Sequence, residues 1–387
     1  MHFKKLVTVM IALVIISGLF AGCTAKTEEP GTGEATKPSE IVIGVYEPMT
    51  GSQAAGGVQT MQGVNLAYEQ KDEVLGVHIR MVLVDNRSDK AEAATAMTRL
   101  IEQEKAVAVV GSYGSSNSMA GGEVSEKAHV PVMGCSPTNP LVTEGKHYYF
   151  RACFIDPFQG RVMAKYAIEN GIKKVAIIQN ISQDYSVGLA AFFKQSWKEL
   201  TGSEEGIVSE SAYQDGDQDF TAQLGAIKDA EAIYAPGYFG DAALLMKQAR
   251  ELGFKGLFMG GDAWEAPELI SIGGAATEGA VFSSHYSAEA ATTPASKPFV
   301  DAFEAKYGET PSAMAALGYD AYMLVLDAIE RANSFNPEDI RNAIAATKDF
   351  PGVTGSITIN ETGDAVKDAV VLVVKDGAFK YLSTVSP

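Results

Sequence analysis

The chain is poor in the residues and spacings that enzymes use. Its five histidines are scattered and no Cys-x-x-Cys occurs, which argues against a zinc site. There is no Gly-x-Ser-x-Gly elbow, no His-Glu-x-x-His and no phosphate-binding P-loop, so three common routes to hydrolysis or nucleotide chemistry are absent. Ser115 has no histidine in a recognisable nucleophile context. The expectation is a protein that is not an enzyme and carries neither cofactor nor metal. Positive charge is also scarce: 31 Lys and Arg stand against 48 Asp and Glu, a net charge of −17. Nucleic acid, which demands a basic surface, is an unsuitable partner. Cysteine is limited to three, and two of them, Cys135 and Cys153, fall in the body of the chain. Two thiols alone do not show that their geometry permits a bridge, and the reading is two buried, unpaired thiols.

Long apolar stretches are confined to the opening. Two lysines precede Leu6 to Phe20, a run broken only by Thr8, Ser17 and Gly18. A charged start, a short apolar core and small residues at its end describe a secretory signal. The run is about fifteen residues, short of the roughly twenty a spanning helix needs. It ends in Leu19-Phe20-Ala21-Gly22-Cys23, which resembles the lipobox of bacterial lipoproteins, with Phe20 where leucine is usual. That resemblance implies a signal peptide over 1–22 and a lipidated Cys23. Residues 23–39, rich in Gly, Pro, Thr and Glu, cannot bury enough surface to fold and read as a flexible tether. A two-chain lipid would give stable anchoring, at a cell surface or in a periplasm.

What remains is about 350 residues, comfortable for two cores. From Glu40 short β-branched runs alternate with helical patterns. Ile41 to Tyr46, Val77 to Val84, Ala106 to Val110 and Val130 to Met133 read as strands. Asp89-Lys90-Ala91-Glu92 has the spacing of a capping box. The alternation restarts at Val175 and continues through Ile207 to Tyr213, Ala232 to Ala235, Leu257 to Met259 and Ala280 to Ser283. Two such series predict an α/β protein of two doubly wound parallel-sheet lobes. The tail differs, with strand–turn–strand patterns at Gly355 to Asn360, Ala369 to Lys375 and a hairpin signal at Asp376-Gly377.

In open α/β sheets ligands bind beyond the carboxyl ends of the strands. After the third strand comes Gly111-Ser112-Tyr113-Gly114-Ser115-Ser116-Asn117-Ser118, and after the fourth Gly134-Cys135-Ser136-Pro137-Thr138-Asn139-Pro140. Hydroxyls at a helix N-terminus can cradle a carboxylate; equally, Ser115 or Ser116 could simply cap the helix. In Gly260-Gly261-Asp262-Ala263-Trp264-Glu265, Asp262 could reach into a cleft and meet an ammonium group, or serve as an N-cap. Tyr185 and Tyr238, in equivalent loops of the second series, offer a ring face and a hydroxyl, or mere packing.

From about Glu40 to Gly377 the chain resembles the leucine/isoleucine/valine-type substrate-binding proteins of ABC transporters, with the type I periplasmic binding fold. The resemblance lies in Val109-Val110-Gly111 and its Ser/Gly loop, Ser136-Pro137-Thr138-Asn139-Pro140, Phe150-Arg151, Asp184-Tyr185-Ser186-Val187-Gly188, Phe258-Met259-Gly260 and Gly318-Tyr319-Asp320-Ala321. It implies that Ser115, Ser136 and Thr138 bind the carboxylate and share the amine of an amino acid. Asp262 falls where that family places an acid, usually glutamate, against the ammonium, and Tyr185 and Tyr238 where aromatics close over the ligand. It also implies an ABC permease as partner, a monomer, and hinge closure between one lobe of 40–154 with 286–350 and another of 155–285 with 351–387. Gly56, in the first βα loop, stands near where several members carry an aromatic ring. Its small size predicts a wider side-chain end of the pocket, leaving the ligand's side chain open. A ligand-sensing receptor subunit, or a binder of a related carboxylate or amide, remains the alternative.

Overall fold

A computed structural model describes residues 37–290 and 293–387. Strand β1 (Glu40–Glu47) is buried along nearly its whole length. That is why it is an unbroken apolar run: a central parallel strand is covered on both faces. Around it β2 (Glu73–Val74), β3 (Val77–Asp85), β4 (Ala108–Val110), β5 (Val132–Gly134) and β6 (Tyr149–Arg151) form a six-stranded sheet, in the order β2-β3-β1-β4-β5-β6. All pairings are parallel except the β2–β3 hairpin at the edge. One face is covered by the helices Ala54–Gln70 and Ala313–Ala332, which pack on each other. Their close approach depends on Gly63: a Cβ there would lie 1.7 Å from the Ala315 carbonyl oxygen. The expected capping signal is realised, as the Asp89 side chain accepts from Ala91 N and Glu92 N.

The second sheet takes β7 (Val175–Asn180), β8 (Ile207–Tyr213), β9 (Ala232–Tyr234), β10 (Leu257–Gly260) and β11 (Val281–Ser284) from the second alternating series. The chain then returns to the first lobe through Ala313–Ala332. Strands β12 (Phe350–Gly352), β13 (Gly355–Ile359) and β14 (Ala365–Val366) follow as a small antiparallel unit. Last come β15 (Ala369–Lys375) and β16 (Ala378–Val385), which add antiparallel strands to the second sheet in the order β16-β15-β11-β10-β9-β7-β8. In the first sheet β1 lies between β3 and β4, and in the second β7 lies between β8 and β9, so strand order reverses at each. That switch point is where loops diverge and leave a crevice.

The expected lobe boundary at 351 does not follow the cores. Ile357, Ile359 and Ala365 share one apolar cluster with Ile41, Val45 and Leu324, so β12–β14 pack with the first sheet. Only from Ala369 does the tail join the second. Alternation identifies a strand, but it does not say which sheet will accept it. Cys135 and Cys153 are both free and buried.

Candidate functional site

In the first lobe Val110 pairs with Met133, so the loops leaving β4 and β5 run side by side. They are stitched together: Ser115 Oγ accepts from Asn139 N at 3.2 Å, and Ser136 Oγ donates to the Tyr113 carbonyl at 3.3 Å. Neither Ser115 nor Ser116 caps the helix Ser115–Ala128, whose N-cap is Gly114 with no side-chain bond. Ser115, Ser136 and Thr138 are all buried here. The positive end of that helix and these hydroxyls form a surface suited to a carboxylate.

The β5 loop is held from below by Arg151, which has no exposed surface. Its guanidinium donates to the carbonyls of Pro137 (2.7 Å) and Asn139 (2.8 Å) and to Thr143 Oγ1 (2.6 Å), and pairs with Asp364 Oδ1 at 2.7 Å. Its planar fork can reach several fixed acceptors at once, so Arg151 determines where Thr138 sits.

In the second lobe, β9, β10 and β11 are neighbours, which brings Tyr238, Asp262 and His285 to one edge. Asp262 is buried and does not cap a helix. Its carboxylate accepts from Tyr185 OH (2.9 Å), Gln159 Nε2 (3.0 Å) and His285 Nε2 (3.0 Å). Gln159 also accepts from the backbone N of Asp262 and from Ser283 Oγ, each at 3.0 Å. Burial holds His285 below its ordinary value despite the pull of Asp262. The imidazole is therefore neutral, donates through Nε2, and leaves Nδ1 without a partner. Asp156 faces the same region. Burial, reinforced by the charge of Asp262 and opposed by hydrogen bonds from Thr138 and Gln159, pushes its carboxyl up to about 7. Burial and then Asp262 also push the Tyr185 phenol well above its ordinary 10, so it stays a donor.

The two lobes meet across this region. Ser116 Oγ donates to Asp184 Oδ2 (2.9 Å), Asn139 Nδ2 to the Asp184 carbonyl (2.7 Å) and Lys90 Nζ to Asp184 Oδ2 (2.8 Å). Tyr238 bridges two rings, 5.8 Å from Tyr113 and 5.5 Å from Tyr185. The structure thus gathers Ser115, Ser136, Thr138, Tyr185, Tyr238 and Asp262, all buried, in the region where the lobes meet. It also brings in residues that the sequence did not single out: Gln159, His285, Asp156 and Tyr113. Gln159 and Asp156 stand one turn apart on the helix Asp156–Glu169, a spacing that by itself signals only a helix face.

The expectation of extra room at Gly56 is corrected. A Cβ on Gly56 would lie 2.3 Å from Tyr113 Cζ, so the missing side chain makes space for a ring from the next loop. The hydroxyls of the first lobe suit an anion and the carboxylate of the second a cation. A sequence model described as periplasmic binding protein matches residues 40–378.

The chain belongs to the periplasmic binding protein family.

Among periplasmic binding proteins it is 30% identical over 342 residues to a Leu/Ile/Val-binding protein of Rhizobium johnstonii, covering 86% of this chain and 91% of that one. A leucine binding protein of Thermotoga maritima superposes with a TM-score of 0.87 at 45% identity, covering 90% of this chain and 99% of that one. The branched-chain amino acid transporter substrate binding protein LivJ of Streptococcus pneumoniae, solved in complex with isoleucine, gives a TM-score of 0.84 at 34% identity, over 90% of this chain and 100% of that one. The doubly wound two-lobed architecture read from the strand pattern is therefore that of a type I periplasmic binding protein. Cys23 and residues 1–36 lie outside the described residues. Among the described residues no helix is long and apolar enough to cross a membrane.

Proposed function

We propose that this chain is the extracytoplasmic substrate-binding subunit of an ABC importer and that it captures an aliphatic amino acid between its lobes. The observation that carries this reading is the pairing of opposite chemistries across one cleft. The first lobe supplies Ser115 at a helix N-terminus with Ser136 and Thr138 from the neighbouring loop, and the second supplies Asp262, which Tyr185, Gln159 and His285 hold in place. A zwitterion satisfies both sides; a plain carboxylate leaves the acidic side without a cation, which is costly once water is excluded. The ligand would dock on the first lobe, and the contacts it then gains with Asp262, Tyr185 and Tyr238 would favour closure by the differential affinity they add; Ser116 to Asp184 would join the lobes in the closed form. The names and bound isoleucine of the relatives support an aliphatic side chain. We further propose that Cys23 carries a lipid, that the protein acts as a monomer, and that a membrane permease recognises its closed form.

Titration calorimetry with the full set of amino acids and with aromatic carboxylates tests the ligand class. Asp262→Ala should weaken amino-acid binding by roughly 3–5 kcal/mol, the cost of leaving a buried charge unpaired. Asp262→Asn provides the comparison in which Tyr185 and Gln159 keep a partner. Unchanged affinity in both variants would sink the ammonium assignment. Small-angle scattering at saturating ligand should show compaction, and an unaltered radius of gyration would sink the closing trap.

A further inference from the structure

We propose that Tyr113 sets the size of the ligand side chain that this cleft accepts, and that Gly56 is the notch that allows its ring to lie there. The inference rests on the amino-acid reading above and goes further by naming what limits the side chain. Tyr113 is buried, and its backbone is fixed on both sides. Its N–H donates to Glu47 Oε2 at 2.8 Å and its carbonyl accepts from Ser136 Oγ at 3.3 Å. The ring therefore cannot swing away by moving its loop.

The phenol end of that ring covers the first turn of the helix Ala54–Gln70. A Cβ on Gly56 would stand 2.3, 2.5 and 2.6 Å from Cζ, Cε2 and Cε1, separations that no pair of carbons sustains without displacement. Tyr185 has the same dependence, since a Cβ on Gly261 would lie 2.3 Å from its hydroxyl, whereas a Cβ on Gly114 would strike Gln53 Oε1 at 2.2 Å and stand 3.1 Å from Tyr238 OH. From Asp262 the row runs through Tyr185, whose hydroxyl touches the carboxylate, to Tyr238 and then Tyr113. Met314 belongs to the same buried apolar cluster.

A ligand whose ammonium is held at Asp262 lays its side chain along this row. Tyr113, wedged between Gly56 and Tyr238, is the far wall. Close-packed interiors transmit such a constraint instead of absorbing it, so the wall admits short branched aliphatics and rejects longer or aromatic side chains. Gly56 is a positioning residue that acts through Tyr113 and not on the ligand.

The test is a double-mutant cycle read by calorimetry with alanine, valine, leucine and phenylalanine on wild type, Gly56→Ala, Tyr113→Ala and the double variant. Gly56→Ala should weaken valine binding at least tenfold in wild type and less than twofold where Tyr113 is already alanine. Tyr113→Ala should raise the phenylalanine-to-valine affinity ratio at least tenfold. Tyr113→Leu, with melting temperature as a folding control, repeats the ratio measurement if the alanine variant does not fold. An unchanged ratio, or an equal cost of Gly56→Ala in both backgrounds, overturns the inference while leaving amino-acid binding intact. A wild-type protein that binds no amino acid overturns the reading beneath it.

Discussion

Replacing Glu47 by glutamine should stabilise the protein, and more so as pH rises. Glu47 ends β1 with no exposed surface. Burial pushes its carboxyl from 4.5 up to about 8, against the smaller opposing pull of hydrogen bonds from the Tyr113 N–H and Cys135. Between these values the folded protein holds a proton that the unfolded chain has released. For a carboxyl raised in this way, stability is complete below about 4.5, falls as pH rises to about 8, and then levels off. Each pH unit in that window costs about 1.4 kcal/mol. Glutamine keeps the shape and an acceptor for the Tyr113 N–H but carries no proton to lose. From pH 5 to pH 7.5 the advantage of Glu47→Gln over wild type should therefore grow by about 3 kcal/mol. Asp156 and Glu265, whose carboxyls burial also raises to about 7, are present in both proteins and cancel in the difference. Urea denaturation of both proteins across this range measures it. A difference that stays constant with pH would refute the reasoning, because it would mean that Glu47 ionises alike folded and unfolded.

Gly63→Ala should lower the melting temperature, because its Cβ would strike the Ala315 carbonyl. The cost of about 3 kcal/mol for overpacking outweighs the ~1 kcal/mol helix-propensity gain, and an unchanged melt would contradict the packing described. Arg151→Met strands the buried Asp364 carboxylate and frees the loop carrying Thr138. A loss of about 3–5 kcal/mol in chemical denaturation is expected, and Arg151→Lys should not restore it, since one ammonium cannot reproduce the fork. Cys135 and Cys153 are buried, and burial drives both thiols up. In a Cys23→Ser background neither should react with a thiol reagent until the chain unfolds; native-state labelling would place one of them at the surface.

How much of this was legible beforehand depends on the range of the forces involved. The alternation of β-branched runs and helical patterns is local, and it sufficed for two doubly wound lobes and for a cleft at their carboxyl edges. The loops that carry Ser115, Ser136 and Thr138 lie side by side because adjacent strands deliver adjacent loops, and Asp89 was read as a cap from four consecutive residues. The opposite side of the cleft was not legible in full. Gln159 reaches Asp262 across 103 positions of sequence, and His285 comes from the end of a different strand. No local pattern ranks one buried polar residue above another until a carboxylate must be satisfied. The tail showed the same limit, since its strands were evident while the sheet each would join was not.

Gly56 marks the boundary most clearly. By itself the sequence determined that no side chain stands at that position. Only the tertiary structure decided what occupies the space, because a ring from a loop some sixty residues onward fills it at van der Waals contact. The spacing of strands and helices thus determined the two lobes and the loops at their carboxyl edges. The side-chain wall of the cleft arose from packing, a property of surfaces that meet only once the chain has folded.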